Sequence, residues 1–187
     1  MATVVGSSLN NIVNGAGLPG NTPSLTGIHA VASTSTTWAG SLDTGNLITF
    51  NLNGTYSLAG FSLWNFNGNN TVGVRGVNVL SSIDGTNFTT VAGAPIQFAI
   101  GANIAPESPE LFSFAPVTAS SVRFQVLSNY GFTSLGNATG LSEVQFNSAS
   151  ATATAVPEPF TILGTLTAVG SGAALKRQLK GVKSKSV

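Results

Sequence analysis

The amino-acid sequence predicts an all-β, antiparallel sandwich followed by a separate C-terminal helix of transmembrane type. Three observations predict it. Gly, Asn, Thr and Ser interrupt residues 1–147 roughly every 8–12 residues, the rhythm of a sandwich or barrel. The stretches between these breaks are short, and several alternate apolar with polar residues. No long amphipathic pattern precedes residue 155, whereas residues 160–175 form a run of sixteen without a charge.

The elements follow in order. LITFNL, residues 47–52, is the clearest strand: Ile48, Phe50 and Leu52 share one face and Thr49 and Asn51 the other. A Gly-Thr turn at Gly54-Thr55 is expected to separate it from FSLW, residues 61–64. Val72, Val74, Val77 and Val79 form a further strand whose parity slips at Gly76, so a bulge is expected there. Val122, Phe124 and Val126 alternate with Arg123 and Gln125, and Val144 and Phe146 with Glu143 and Gln145. Weaker strands are expected at residues 88–91, 96–100 and 111–114. Asp84-Gly85 tolerates positive φ and marks a tight turn. NGNN, residues 67–70, reads as a flexible polar loop. APESP, residues 105–109, cannot continue a ladder and is expected to be exposed. SASATAT, residues 148–154, has no periodicity and reads as a linker, extended to residue 155.

At 187 residues the chain has room for one domain and an appendage. A domain of about 155 residues buries enough surface to stand without covalent staples, which suits the absence of cysteine. That absence excludes a disulfide framework and thiolate chemistry. Charge is sparse and divided. Residues 1–155 hold two cations, Arg75 and Arg123, against five anions, while residues 156–187 hold five cations against Glu158. The body therefore lacks the clustered Lys and Arg that nucleic acid requires.

The C-terminal end has three ordered parts: VPEP at residues 156–159, the uncharged run 160–175, and a basic tail 176–187 containing Lys176, Arg177 and Lys180. As a helix, sixteen residues span about 24 Å, short of the ~30 Å hydrocarbon core. Flanking Lys and Arg can snorkel to make up the difference. The cations belong on the cytoplasmic side, which puts the body outside. The alternative is an amphipathic or buried terminal helix with a solvated basic end. The order of parts closely resembles the PEP-CTERM sorting signal of bacteria, in its cyanobacterial form. The resemblance implies recognition of Pro157, Glu158 and Pro159 by an exosortase, passage across the inner membrane, and delivery to the cell surface or extracellular matrix. MATVVGSS, residues 1–8, lacks the basic and apolar regions of a secretory leader. Either a leader precedes this chain or export is not its fate.

Several stretches of the body resemble the discoidin, or coagulation factor 5/8 C-type, domain: NNIVNGAGL at residues 10–18, Trp38, LWNF at 63–66 leading to RGV at 75–77, SIDGTNF at 82–88, SVRF at 121–124 and GLSEVQF at 140–146. The resemblance implies an antiparallel jelly roll of galactose-binding-like topology over residues 1–147. It also implies loops at one end that hold sugar. Candidate ligand residues are Trp64, Asn65, Asn67, Asn69, Arg75, Tyr130 and Phe132, since aromatic faces stack on pyranose rings while amides and guanidinium bond hydroxyls. Each has a structural alternative: Trp and Phe as core, Asn as turn former, Arg75 as partner of Asp43 or Asp84. No cofactor is required, but relatives often hold a structural calcium ion between the opening loop and the last strand. Here Asn14, the carbonyls of residues 15–18 and Glu143 are the candidate ligands.

Catalysis finds little support. The single histidine, His29, has no nucleophile elbow to serve, and Glu107 and Glu110 sit in the stretch expected to be exposed. The sequons at Asn53, Asn69, Asn87 and Asn137 follow from an Asn- and Thr-rich composition. The expected function is an exported, non-enzymatic surface or matrix protein that binds glycan or exopolysaccharide. The alternative is a structural envelope protein whose sandwich associates with other proteins without a sugar ligand.

Overall fold

A computed structural model describes residues 2–3, 7–41, 46–131 and 138–149. Phe132, Asp43, Asn137, the motif Pro157, Glu158 and Pro159, and the basic Lys176, Arg177 and Lys180 lie outside the described residues.

Seven antiparallel strands build the body: β1 (Ala2–Thr3), β2 (Trp38–Ser41), β3 (Leu47–Asn65), β4 (Val77–Ser82), β5 (Thr89–Thr90), β6 (Glu110–Val126) and β7 (Thr139–Ser148). Their order is β1-β2-β7-β3-β6-β4-β5. The long strands β3 and β6 pair along nearly their whole lengths, from Leu47 with Gln125 to Leu63 with Glu110. On this ribbon β4 pairs with the C-terminal part of β6 and β7 with the C-terminal part of β3. The two ends of the β3–β6 ribbon thus belong to different layers, and their side chains meet between them. Phe50 packs edge-on to Phe146 at 5.2 Å, and Phe61 lies 5.3 Å from Phe124. Ile48, Phe61, Leu63, Val79, Phe98, Phe124 and Val144 complete a core that excludes water.

The alternating stretches are strands where expected, but some boundaries differ. β3 runs through Gly54 and Thr55; the turn expected there is a register shift between Asn51 and Tyr56, with Asn53 at φ 55. The valine strand begins only at Val77. Val72 ends a 3-10 turn, and Val74 and Gly76 make isolated bridges with Asn129 and Gln97. Residues 96–100 form no strand, although Phe98 is fully buried. β7 continues through Ser148, and the Ala149 N–H bonds Ser57 O at 2.8 Å, so the ladder reaches into the expected linker. Gly85 has φ 72, as its turn requires, and the Asp84 carboxylate accepts the N–H groups of Thr86 and Asn87. Among the described residues no helix is long and apolar enough to cross a membrane.

The second half of β3 is buried on both faces. Phe61 and Leu63 point into the core. Ser62 and Trp64 point the other way, beneath the loop of residues 18–30: Ser62 Oγ donates to Leu25 O at 2.7 Å and Trp64 Nε1 to Gly27 O at 3.0 Å. That covering loop gathers the polar residues of this end of the sandwich.

Candidate functional site

At the end where β3 finishes and β7 begins, side-chain amides tie the loops together. Asn65 is 2% exposed. Its Nδ2 donates to Val74 O and to Ala99 O, each at 2.7 Å, and its Oδ1 accepts from Phe66 and Val74 N–H. Asn67 is fully buried, donates to Ala30 O and Ala105 O, each at 2.9 Å, and accepts from Ser142 Oγ. The side chains of Asn65 and Asn67 therefore act as main-chain partners for three loops. With Trp64, also fully buried, they frame the site and do not line its surface; the flexible loop expected at residues 67–70 is anchored at its first residue.

Asn69, Arg75 and Tyr130 do come together. The Arg75 main chain is held on both sides, its N–H by Ser128 O at 2.8 Å and its carbonyl by Phe98 N–H at 2.9 Å. The adjacent segment brings Tyr130, whose N–H bonds Gly73 O and whose hydroxyl donates to Phe98 O at 2.6 Å. The Arg75 guanidinium lies 5.7 Å from the Tyr130 ring centre, within the range of cation–π attraction. Asp84, offered as an alternative partner for Arg75, is engaged by its own turn, which holds its carboxyl well below the usual range. Arg123 stacks 3.6 Å over Phe88 and bonds Thr49, so Arg75 is the cation of the described body whose guanidinium has no hydrogen bond among the described residues.

Asn69 caps the 3-10 turn of residues 70–72, its Oδ1 accepting from Thr71 N–H and from Thr71 Oγ1 at 2.8 Å. Thr71 in turn abuts Gly131, where a Cβ would stand 2.9 Å from Thr71 Cβ. The resulting surface has one half-buried aromatic ring, one exposed guanidinium and one exposed amide, with Thr71 and Gly131 joining them. Thr71 and Gly131 escape a sequence reading. The Asn-x-Thr spacing does signal a local turn, but nothing local signals the close approach of residue 131.

Two carboxylates, each with one oxygen buried, lie nearby: Glu143 on β7 and the half-buried Glu107. Glu143 is fully buried, opposite Trp64 in the β3–β7 register. Burial pushes it up to about 7, although hydrogen bonds from Gln145 and from the Gly15 N–H oppose the shift. In the 105–109 stretch Pro106 and Ser108 are exposed as expected, but Glu107 is half-buried with Oε2 out of water. Its main chain pairs with His29, and burial, helped by the Glu110 charge, pushes its carboxyl up to about 7.

The calcium expected between the opening loop and the last strand would take six to eight oxygens. Here those oxygens already face protein donors. Gly15 O accepts from Leu18 N–H at 3.0 Å, Gly17 O from Ala30 N–H at 2.8 Å and Leu18 O from Asn21 N–H at 2.8 Å. Ala16 O faces His29 Nε2 at 2.9 Å. Asn14 is exposed, with Oδ1 turned to Ala16 N–H at 2.9 Å. Glu143 Oε1 accepts from Gly15 N–H and from Gln145 Nε2. Of the candidate ligand oxygens, Glu143 Oε2 alone is buried without a partner among the described residues. No group of three or more His, Cys, Asp or Glu side chains converges among the described residues. These residues do not fit a calcium cage. The fully buried His29 ring secures the loop, with its nitrogens at Ala16 O and Ala30 O and Gly17 packed so close that a Cβ would stand 2.6 Å from the ring.

Fold and site together define a two-layer antiparallel β-sandwich with a cation, an aromatic ring and an amide displayed on loops at one end. The F5/8 type C domain model matches residues 16–140, and the chain belongs to that family. Among solved structures, the carbohydrate-binding module CBM32-1 of a family 31 glycoside hydrolase from Clostridium perfringens is similar, with a TM-score of 0.51 at 16% identity, over 78% of this chain and 87% of the module. The module CBM32-2 of a GH31 enzyme, bound to GalNAc, gives a TM-score of 0.53 at 12% identity, over 79% of this chain and 92% of the module. A family 89 glycoside hydrolase from Clostridium perfringens, in complex with PUGNAc, gives 0.50 at 19% identity; 79% of this chain is covered but only 13% of the hydrolase. At these identities the likeness is one of fold. No curated protein matches the chain.

Proposed function

We propose that this chain is a non-enzymatic carbohydrate-binding protein of the cell surface or extracellular matrix. The observation that carries the reading is the Arg75–Tyr130 pair beside Asn69 on loops held rigid by buried amides. A guanidinium and an amide offer donors to ring hydroxyls, and an aromatic face complements the apolar side of a pyranose. Support also comes from the fold shared with CBM32-2, a module bound to GalNAc in its own structure. A glycan array tests the reading. The wild-type chain should retain a set of glycans that Arg75→Ala loses; equal profiles would refute a site at Arg75.

A specific observation favours the second reading, association with other proteins. Ile28, Ile96 and Ile104 expose 60%, 79% and 72% of their surface on loops, apolar area that a protein partner could cover. A chain that binds no glycan yet self-associates would establish this reading.

The proposal includes a destination. Residues 156–187 carry the ordered parts of a PEP-CTERM signal. An exosortase recognises Pro157, Glu158 and Pro159, the inner membrane receives residues 160–175, and Lys176, Arg177 and Lys180 stay on the cytoplasmic side. Replacing Pro157 and Pro159 together should trap the protein in the membrane fraction of a host that has the processing enzyme. Undiminished delivery to the surface would sink the sorting role.

A further inference from the structure

We infer that the body carries a second ligand site, a groove for a neutral oligosaccharide between β7 and the N-terminal half of β3, on a surface distinct from the Arg75 loops. The inference extends the sugar-binding reading and rests on it for the class of ligand.

The groove has a volume of about 640 Å³, within the roughly 300–1,000 Å³ of small-molecule sites. A single sugar ring would leave much of it empty, so two or three residues are the fitting size. It arises from the topology. Residues 47–51 pair only with β6, and β7 pairs with β3 only from Leu58 onward. The two strands diverge from that point, and the space between them opens to solvent. Ile48, Phe50, Val144 and Phe146 give it an apolar floor.

Around the floor stand hydrogen-bonding groups that the fold does not use. The Asn10 and Asn53 amides and the Tyr56 hydroxyl have no partner among the described residues. Asn51 Oδ1 accepts the Asn53 N–H at 3.0 Å, which fixes the strand bend that carries Asn53. Tyr56 is 47% exposed. Its ring lies against Gly54, where a Cβ would stand 3.1 Å from the nearest ring atom. The absence of a side chain there lets the ring lie flat on the strand bend as a stacking platform.

Charge decides the class of occupant. Among the described residues no Lys, Arg, Asp, Glu or His lines the groove. These residues offer an anionic polymer no counter-charge and a cation no carboxylate. A neutral saccharide matches on both counts: its C–H faces suit the floor and Tyr56, and its hydroxyls suit the free Asn10 and Asn53 amides and the Tyr56 hydroxyl. A strand from a second copy of the chain is the competing occupant, because the edge of residues 47–51 is unpaired on that side among the described residues.

The test compares wild type, Arg75→Ala, Tyr56→Ala and Asn10→Asp on an array of neutral and acidic glycans, with light scattering and a melting curve for each. Asn10→Asp breaks no side-chain hydrogen bond among the described residues but loses the amide donors and places a charge on the groove wall, so it probes binding without disturbing the fold. The expected result is a class of neutral oligosaccharides that Arg75→Ala retains and that both groove variants bind about tenfold more weakly. Groove variants with wild-type profiles would overturn the second site while leaving the Arg75 site standing. Loss of every glycan in Arg75→Ala would do the same. A wild-type dimer broken by Tyr56→Ala would assign the groove to a second copy instead. A wild-type chain that binds no glycan would overturn both this inference and the reading it rests on.

Discussion

Asn65 holds both main-chain groups of Val74: its Nδ2 donates to Val74 O at 2.7 Å, and its Oδ1 accepts Val74 N–H at 3.0 Å. A buried side chain here plays the part of a neighbouring strand, on the side of Val74 away from its bridge with Asn129. It also aligns Val74 one residue before Arg75, so the geometry of the displayed guanidinium depends on an amide that never meets solvent.

Replacing that amide should therefore damage fold and site together. Asn65→Ala strands Val74 N–H, Val74 O and Ala99 O without their partner, at a cost of about 3 kcal/mol. Asn65→Asp keeps the acceptor but loses the donor to both carbonyls, and should cost nearly as much. Chemical denaturation measures both. A change below about 0.5 kcal/mol in either variant would mean that the loops are held some other way.

Stability should fall as pH rises from about 4.5 to about 7. Glu107 and Glu143 have an ordinary value of 4.5 and are raised to about 7 in the fold, chiefly by burial. Between those values the folded chain holds protons that the unfolded chain has released. Their contribution is thus fully present below about 4.5 and is lost as pH rises through about 7. The melting temperature should drop by several degrees from pH 5 to pH 8, and a chain carrying Glu107→Gln and Glu143→Gln should lose most of that dependence. A rise in melting temperature over the same interval would contradict the burial of these carboxyls.

Calcium should matter little to this chain. The loop oxygens face protein donors, with His29 between Ala16 O and Ala30 O. Millimolar calcium or EDTA should shift the melting temperature by less than about 1 °C, whereas an ion at a thousand times its dissociation constant would add about 4 kcal/mol. Calorimetry with added calcium is the direct check, and a clear upward shift would restore the metal.

His29→Ala should instead be costly. It empties a fully buried site and removes the ring from both carbonyls, which predicts a loss of about 3 kcal/mol. Proteolysis should then cut within the loop of residues 18–30 before the rest of the body. Cleavage no faster than in wild type would show that the ring does not secure the loop.

The sequence by itself determined the alternating strands and the class of fold. Residues 47–52, 61–64, 122–126 and 143–146 alternate with period two, and a strand follows because that spacing places every second side chain on one face. Asp84-Gly85 determined its own turn, since the acceptor and the residue tolerant of positive φ are adjacent in the chain. The tertiary structure decided what covers the other face. Trp64 and Asn67 are buried because the loop of residues 18–30 and the segment near Ala105 close over them. Glu107, in a proline-flanked stretch that read as exposed, pairs its main chain with His29 and turns one carboxylate oxygen out of water. Gly131 meets Thr71, and Tyr130 meets Arg75, across loops distant in sequence. Periodicity reports only which side chains share a face. Exposure, and with it whether an Asn or a Trp touches a ligand or holds a loop, depends on contacts between segments that no local pattern encodes.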